Sequence, residues 1–224
     1  FDTPEDMKRF GRPRLGFLVT GGNIDPMVAQ YTAARRLRSA DPYSPANRAG
    51  LRPDRATIVY CRLIRQAYGA VPIIIGGLEA SLRRFAHYDY WDDAVRPSIL
   101  LESGADLLSF GMGEHSLTEI AARMAAGEHP AAMHDIRGTC YLCGLEEPLL
   151  YPSVACAASG KVSQDKKACA RACRIQLGEQ EHFTGRAVVQ KHGERLRVQN
   201  PPALPLTSEE LDDVAELPYE RYYH

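Results

Sequence analysis

Residues 72–91 read PIIIGGLEASLRRFAHYDYW, and this stretch decides the fold. The run 71–75 is apolar and β-branched and stops at Gly76-Gly77. A short apolar run bounded by glycines predicts a buried, parallel strand. The chain then opens into a dense polar cluster: Glu79, Ser81, Arg83, Arg84, His87, Tyr88 and Asp89. In open α/β sheets, ligands sit on the loops that leave the carboxyl ends of the strands. Acid, base, hydroxyl and imidazole packed after such a strand mark a site or an interface.

Working outward, residues 15–20 (LGFLVT) form an earlier buried strand, closed by Gly21-Gly22-Asn23. Helical spacing of Met27, Val28, Tyr31, Ala34 and Leu37 predicts a first helix from Asp25 to about residue 38, ending in Arg35, Arg36 and Arg38. Residues 39–53 are rich in Pro, Asn and Gly and read as a long loop too polar to be packed. Asp54 is the expected N-cap of a second helix, 55–68. Residues 105–110 (ADLLSF) give a third strand, and 114–126 a third helix stopped by Gly127. Strands alternating with amphipathic helices predict an α/β class, with a Rossmann-like or flavodoxin-like wound parallel sheet in residues 1–130.

Residues 131–224 change character and read as a smaller α+β extension. A strand at 139–142 and a basic helix at 162–177 are expected. A hairpin joins 187–190 to 196–199 around His192-Gly193-Glu194. Residues 200–206 (NPPALPL) must be extended, because three prolines exclude a helix or central strand. Thr207 and Glu210 form a capping box that opens a last helix with Leu211, Val214 and Ala215 inward.

The chain of 224 residues is long enough for a sizeable core. A net charge of -1 leaves no electrostatic footprint for nucleic acid or an anionic membrane. No apolar run approaches a bilayer span, and no secretory signal opens the chain. The opening FDTPEDMKRFGRPRL lacks an initial Met and reads as part of something longer. Six cysteines, two in a CxxC, fit a reducing compartment, so cytoplasm is the expected location.

Three motifs carry alternative chemistries. Gly111-Met112-Gly113-Glu114-His115-Ser116 follows a strand and opens a helix, as a dinucleotide fingerprint does, and a helix N-terminus there could take an anion. Glu114 competes for the same positive pole, which favours a plain tight turn. Cys169 and Cys173 are spaced CxxxC, the first half of the CxxxCxxC that holds a radical SAM iron–sulfur cluster, but position 176 is Gln176. Cys140 and Cys143 could join Cys169 and Cys173 as a four-cysteine zinc site, with the second pair one residue too widely spaced. The cluster at 79–93 reads either as a ligand or partner surface or as a structural ion-pair net.

Several words in this chain resemble the YgiQ family of radical SAM proteins. They are Gly22-Asn23-Ile24-Asp25, Tyr31-Thr32, RPDRA at 52–56, GGLEASLRR at 76–84, HYDYW at 87–91, GMGE at 111–114, NPP at 200–202, PLT at 205–207 and LPY at 217–219. The match runs nearly end to end in consistent order. The resemblance implies a domain similar to cobalamin-binding folds, placed before a radical SAM core that carries a [4Fe-4S] cluster and binds S-adenosylmethionine. The cluster cysteines would follow the last word, so no cofactor is expected in this chain. A family segment with an aspartate-histidine-glycine word is expected before Phe1, which would leave the sheet short of its first strand and helix. No DxHxxG, the source of a lower axial histidine, occurs here, so cobalamin binding does not carry over.

The expected function is therefore an accessory domain, not catalytic alone, that shapes the substrate or cofactor cavity of a radical SAM core in the same polypeptide. The substrate, small or macromolecular, is unassigned. Asn23, Asp25, Gly76, Gly77, Glu79, Ser81, Arg83, Arg84, His87 and Glu114 are the expected cavity-facing residues. Arg83, Arg84 and His87 would hold an anionic group, oriented by Glu79 and Asp25. The alternatives are a stand-alone nucleotide- or cobalamin-type binding module and a zinc-stabilised interaction domain.

Overall fold

The computed structural model describes residues 3–9 and 11–219. The end of the tail that follows Leu217 lies outside the described residues. The elements in order are α1 (Pro4–Lys8), β1 (Phe17–Thr20), α2 (Pro26–Gln30), α3 (Ala56–Tyr68), β2 (Ile73–Gly76) and α4 (Gly77–Leu82). A small hairpin β3 (His87–Asp89) and β4 (Ala94–Arg96) precedes α5 (Ile99–Ser103), β5 (Leu107–Ser109) and α6 (Glu114–Ala125). Then follow β6 (Thr139–Gly144), β7 (Ser153–Ala155), α7 (Ser159–Gln164), α8 (Lys166–Gly178), β8 (Ala187–His192), β9 (Arg195–Gln199) and α9 (Ser208–Glu216).

Seven strands form one sheet in the order β1-β2-β5-β6-β9-β8-β7. The first three are parallel, with Ile74 opposite Leu18 on one side and Leu107 on the other. This is the wound α/β portion that the alternation of strands and helices requires. From β5 the sheet continues without a break into β6, which runs antiparallel, and then into the β8–β9 hairpin. The strand at 71–75 is buried on both faces. Ile73 and Ile75 pack with Leu63, Ile64, Ile99 and Leu100 of α3 and α5, while Ile74 packs with Leu107 and with Ile120 of α6. Each such buried isoleucine contributes roughly 1.5–3 kcal/mol relative to exposure.

The first helix is much shorter than the spacing predicts. It ends at Gln30, and Tyr31 is already extended at φ -123°. Asp54 causes the break: it accepts from Gln30 Nε2 and from the Tyr31 hydroxyl, both at 2.9 Å. The chain then turns back on itself, with Tyr31 bridged to Leu37 and Arg35 at φ 59°. Arg38 still serves the helix end, donating from Nε to the carbonyls of Val28 and Tyr31.

Asp54 is therefore not the cap of α3. Arg55 occupies that position without a side-chain bond, and the helix N-terminus is met from outside by Glu79. The 39–53 loop is more packed than its composition suggests, because Asp41 is fully buried on Ser44 and Arg52. The basic helix splits at Asp165, which ends α7 and caps α8 through the Lys167 N–H. The capping box at Thr207 is present, but Leu211 and Ala215 are exposed and α9 buries no residue.

Candidate functional site

A cleft of about 500 Å³ opens beside the loops that leave β1 and β2. Asp25, Tyr31, Leu82, Arg83, His87 and Trp91 are among the residues that line it. Asp25 is fixed twice. Its Oδ1 caps α2 by accepting from Met27 and Val28 N–H, and its Oδ2 accepts from Arg83 Nη1. Burial opposes the Arg83 charge, and Asp25 more than offsets it, so the guanidinium stays firmly protonated. Tyr31 and Trp91 form an aromatic floor, with ring centroids 4.2 Å apart.

Two glycines make the approach of β1 and β2 feasible. Gly77 takes φ 78°, and a Cβ there would stand 2.2 Å from Thr20 Oγ1. A Cβ on Gly21 would stand 2.4 Å from Glu79 Oε2. That contact lets Glu79 sit fully buried behind the cleft, where Oε2 accepts from Thr57 N–H at 3.0 Å and Thr57 Oγ1 at 2.7 Å. Burial raises the Glu79 carboxyl, against the hydrogen bonds from Thr57.

His87 Nδ1 lies 3.0 Å from the Phe85 carbonyl oxygen. A carbonyl only accepts, so Nδ1 carries the proton. Burial lowers the His87 pKa, which keeps the ring neutral, and its Nε2 is buried with no hydrogen-bond partner. The hairpin that follows is clamped by Arg55, which pairs with Asp89 at 2.9 Å and Asp92 at 2.7 Å, and by Arg96, which joins Asp92 to Glu102. Burial works against the Asp89 carboxylate, yet Arg55 and nearby N–H groups hold it below the usual carboxylate range.

Of the sequence-derived candidates, the cleft brings together Asp25, Arg83 and His87, with Glu79 behind them. Arg84 turns the other way, into the interior, where Nε donates to Gln199 Oε1 at 2.7 Å. Ser81 is half-buried and contributes its carbonyl to Arg84. Asn23 lines a separate groove with Tyr43 and Arg52. Gly76 and Gly77 line another, with Leu18, Thr20 and Ser109. Glu114 lies in a third, beside Met112, His182 and Leu211.

The four cysteines do not assemble. Cys140 and Cys143 are an odd number of residues apart on β6 and enter different core clusters, while Cys169 and Cys173 lie on α8. Among the described residues no group of three or more His, Cys, Asp or Glu could hold a metal ion. A [4Fe-4S] cluster, which needs three thiolates, therefore has no fit within them. No helix among them is long and apolar enough to cross a membrane.

Tyr31, Trp91, Arg35 and Arg55 were absent from the sequence-derived set. Arg35 reaches the cleft wall only because the chain doubles back, placing its guanidinium 4.7 Å over the Tyr90 ring. Nothing in the helical spacing of 27–37 signals that reversal.

Comparisons with known proteins bear on what this cleft belongs to. A family model described as Radical SAM N-terminal matches residues 1–224. A UPF0313 protein of Clostridium perfringens is 50% identical over 220 residues, covering 98% of this chain and 33% of the relative. A UPF0313 protein of Methanocella arvoryzae is 51% identical over 220 residues, covering 96% of this chain and 36% of the relative. One from Clostridium botulinum is 50% identical over 224 residues, covering 98% and 34%. The chain thus spans about a third of the length of these relatives. No solved structure matches it.

Proposed function

Because the chain belongs to the Radical SAM N-terminal family, we propose that it is a non-catalytic accessory domain that packs on a radical SAM core of the same polypeptide. Its cleft forms one wall of that core's substrate or cofactor cavity. The observation that carries this reading is the combination of an aromatic, half-buried cleft with a guanidinium locked in place by Asp25. A fixed cation beside Tyr31 and Trp91 suits a ligand with a flat body and an anionic group. The cluster and S-adenosylmethionine belong to the core, where iron–sulfur chemistry supplies the reactive radical. This chain's residues bind, orient and exclude water. Six unpaired cysteines suit the reducing cytoplasm.

Hydrogen exchange tests the packing. Residues 25–31 and 83–91 should exchange more slowly in the complete polypeptide than in residues 1–224 alone. Equal exchange in both would contradict a wall shared with the core. A stand-alone binding module would instead show a rise in melting temperature of residues 1–224 with a nucleotide or a corrin, since specific binding stabilises the native state.

A further inference from the structure

On the face of the sheet that α6 covers, one row of residues crosses the three parallel strands: Leu107 of β5, Ile74 of β2 and Leu18 of β1. Leu107 and Ile74 are buried, whereas Leu18 is 65% exposed. A parallel sheet buries both of its faces. The opposite face obeys that rule, since Val19 packs into the core cluster that includes Leu63 and Ile64 of α3. Leu18 shares a groove of about 280 Å³ with Gly111 and with Leu117 of α6. Gly111 also lines the adjoining groove, of about 380 Å³, together with Met112, Leu204 and Leu211. The exposed apolar side chains are therefore contiguous, unlike the single ones that scatter over any protein surface.

The last helix, α9, borders this face and has the same deficit. It is 9 residues long and buries none of them. Isolated helices shorter than roughly 12–15 residues are marginal in water and draw their stability from packing an apolar face. The contact between His115 Nε2 and Glu210 Oε1, at 2.8 Å, ties the first turn of α9 to α6. Its apolar side still meets water at Leu211, which is 56% exposed, and Leu217 follows it exposed. The rim is acidic. Glu209, Asp212, Asp213 and Glu216 are exposed and form no ion pair among the described residues. Glu114, which lines the groove, has its Oε2 buried without a hydrogen-bond partner.

We propose that this face, from Leu18 through Leu117 and Met112 to Leu204, Leu211 and Leu217, is the docking surface for the polypeptide that follows residue 224. The segment seated on it is apolar, with Lys or Arg at its edge. Three observations commit the face to that occupant. The chain matches an N-terminal family model and spans about a third of the length of its relatives. The last described element is α9, so the polypeptide that follows emerges beside the open face. The acidic rim suits a basic partner, whereas a second copy related by a two-fold axis would set the same acids against each other. The face shares no lining residue with the cleft of Asp25 and Arg83. It holds the rest of the chain in place, while the cleft meets the ligand. That the docked polypeptide is a radical SAM core rests on the proposed function; that it covers this face does not.

The test is hydroxyl-radical footprinting of the complete polypeptide, with side-chain oxidation read by mass spectrometry and each rate normalised to the same peptide in urea. Leu204 and Leu211 should be oxidised several-fold more slowly than Leu51 and Leu177, which are exposed and line neither groove. Equal rates would overturn the proposal. Protection that disappears on dilution would place a second copy on the face and equally overturn it. Asp212→Lys combined with Asp213→Lys leaves the apolar side chains in place and should raise the oxidation of Leu211; an unchanged rate would overturn the basic edge of the partner. Slow hydrogen exchange at 25–31 and 83–91 with Leu204 and Leu211 unprotected would strike this face and leave the cleft wall standing. The opposite pattern would support this face and strike the wall alone.

Discussion

Arg83 and Arg197 show how differently one chain can house the same charge. Arg83 stands at the cleft on the carboxylate of Asp25, which also caps α2, so one acid fixes both a cation and a helix start. Arg197 lies one layer deeper, stacked on Phe85 and bonded to a cysteine, with two nitrogens unmet. The first arrangement is rigid and partly open to a ligand. The second is closed and holds the back of the same segment. The guanidinium at the cleft is met by a carboxylate, and the interior one by an aromatic ring and a cysteine sulfur. The difference should appear in the energetics.

The largest effect should come from Asp25→Ala, which strands Arg83 in a mostly buried place. A loss of about 3–5 kcal/mol is expected from urea denaturation, as for other broken buried pairs. A loss below about 1 kcal/mol would mean that solvent already compensates Arg83. Gly77→Ala comes next, at about 1–3 kcal/mol, from left-handed backbone and the contact with Thr20 Oγ1. A Thr20→Ala background should return part of that loss; if it returns none, the backbone alone is responsible.

Arg197→Met should be far milder than Asp25→Ala, within about 1 kcal/mol of the parent, because it removes the charge whose burial is costly and strands no carboxylate. Equal losses at the two sites would erase the distinction between them. The smallest effect concerns Glu79 behind the cleft. Its folded pKa is raised above the ordinary 4.5, so between the two values the folded state binds more protons than the unfolded. Stability is then full below the ordinary value and falls as pH rises through the folded pKa. Glu79→Gln should flatten that slope in melting temperature measured against pH; an unchanged slope would assign it to another acid.

β1, β2, β5, β6, α3, α6 and the β8–β9 hairpin were legible because apolar periodicity and glycine stops determine them directly, whereas β3, β4 and β7, three residues each, carry no such signal. The reversal at 31–37 was not, since Met27, Val28, Tyr31 and Ala34 keep helical spacing while Asp54 draws off Gln30 and Tyr31 by hydrogen bonds from more than twenty residues away. Glu79 could be named as a site residue but not as the acid meeting the α3 N-terminus, because that contact exists only after β2 is placed. Arg197 and Gln199 alternate with Leu196 and Val198 and read as the wet side of a strand. The sheet instead buries both sides there, under α7, α8 and the segment around Phe85. The inward turn of Arg84 was equally illegible, because its partner Gln199 lies 115 residues away on that buried side.

The most direct test of the central claim is anaerobic reconstitution with iron and sulfide, followed by reductive cleavage of S-adenosylmethionine. The complete polypeptide and residues 1–224 should be compared side by side. The account predicts a cluster and cleavage in the complete polypeptide and neither in residues 1–224. A cluster in residues 1–224, or no cluster and no cleavage in the complete polypeptide, would contradict it.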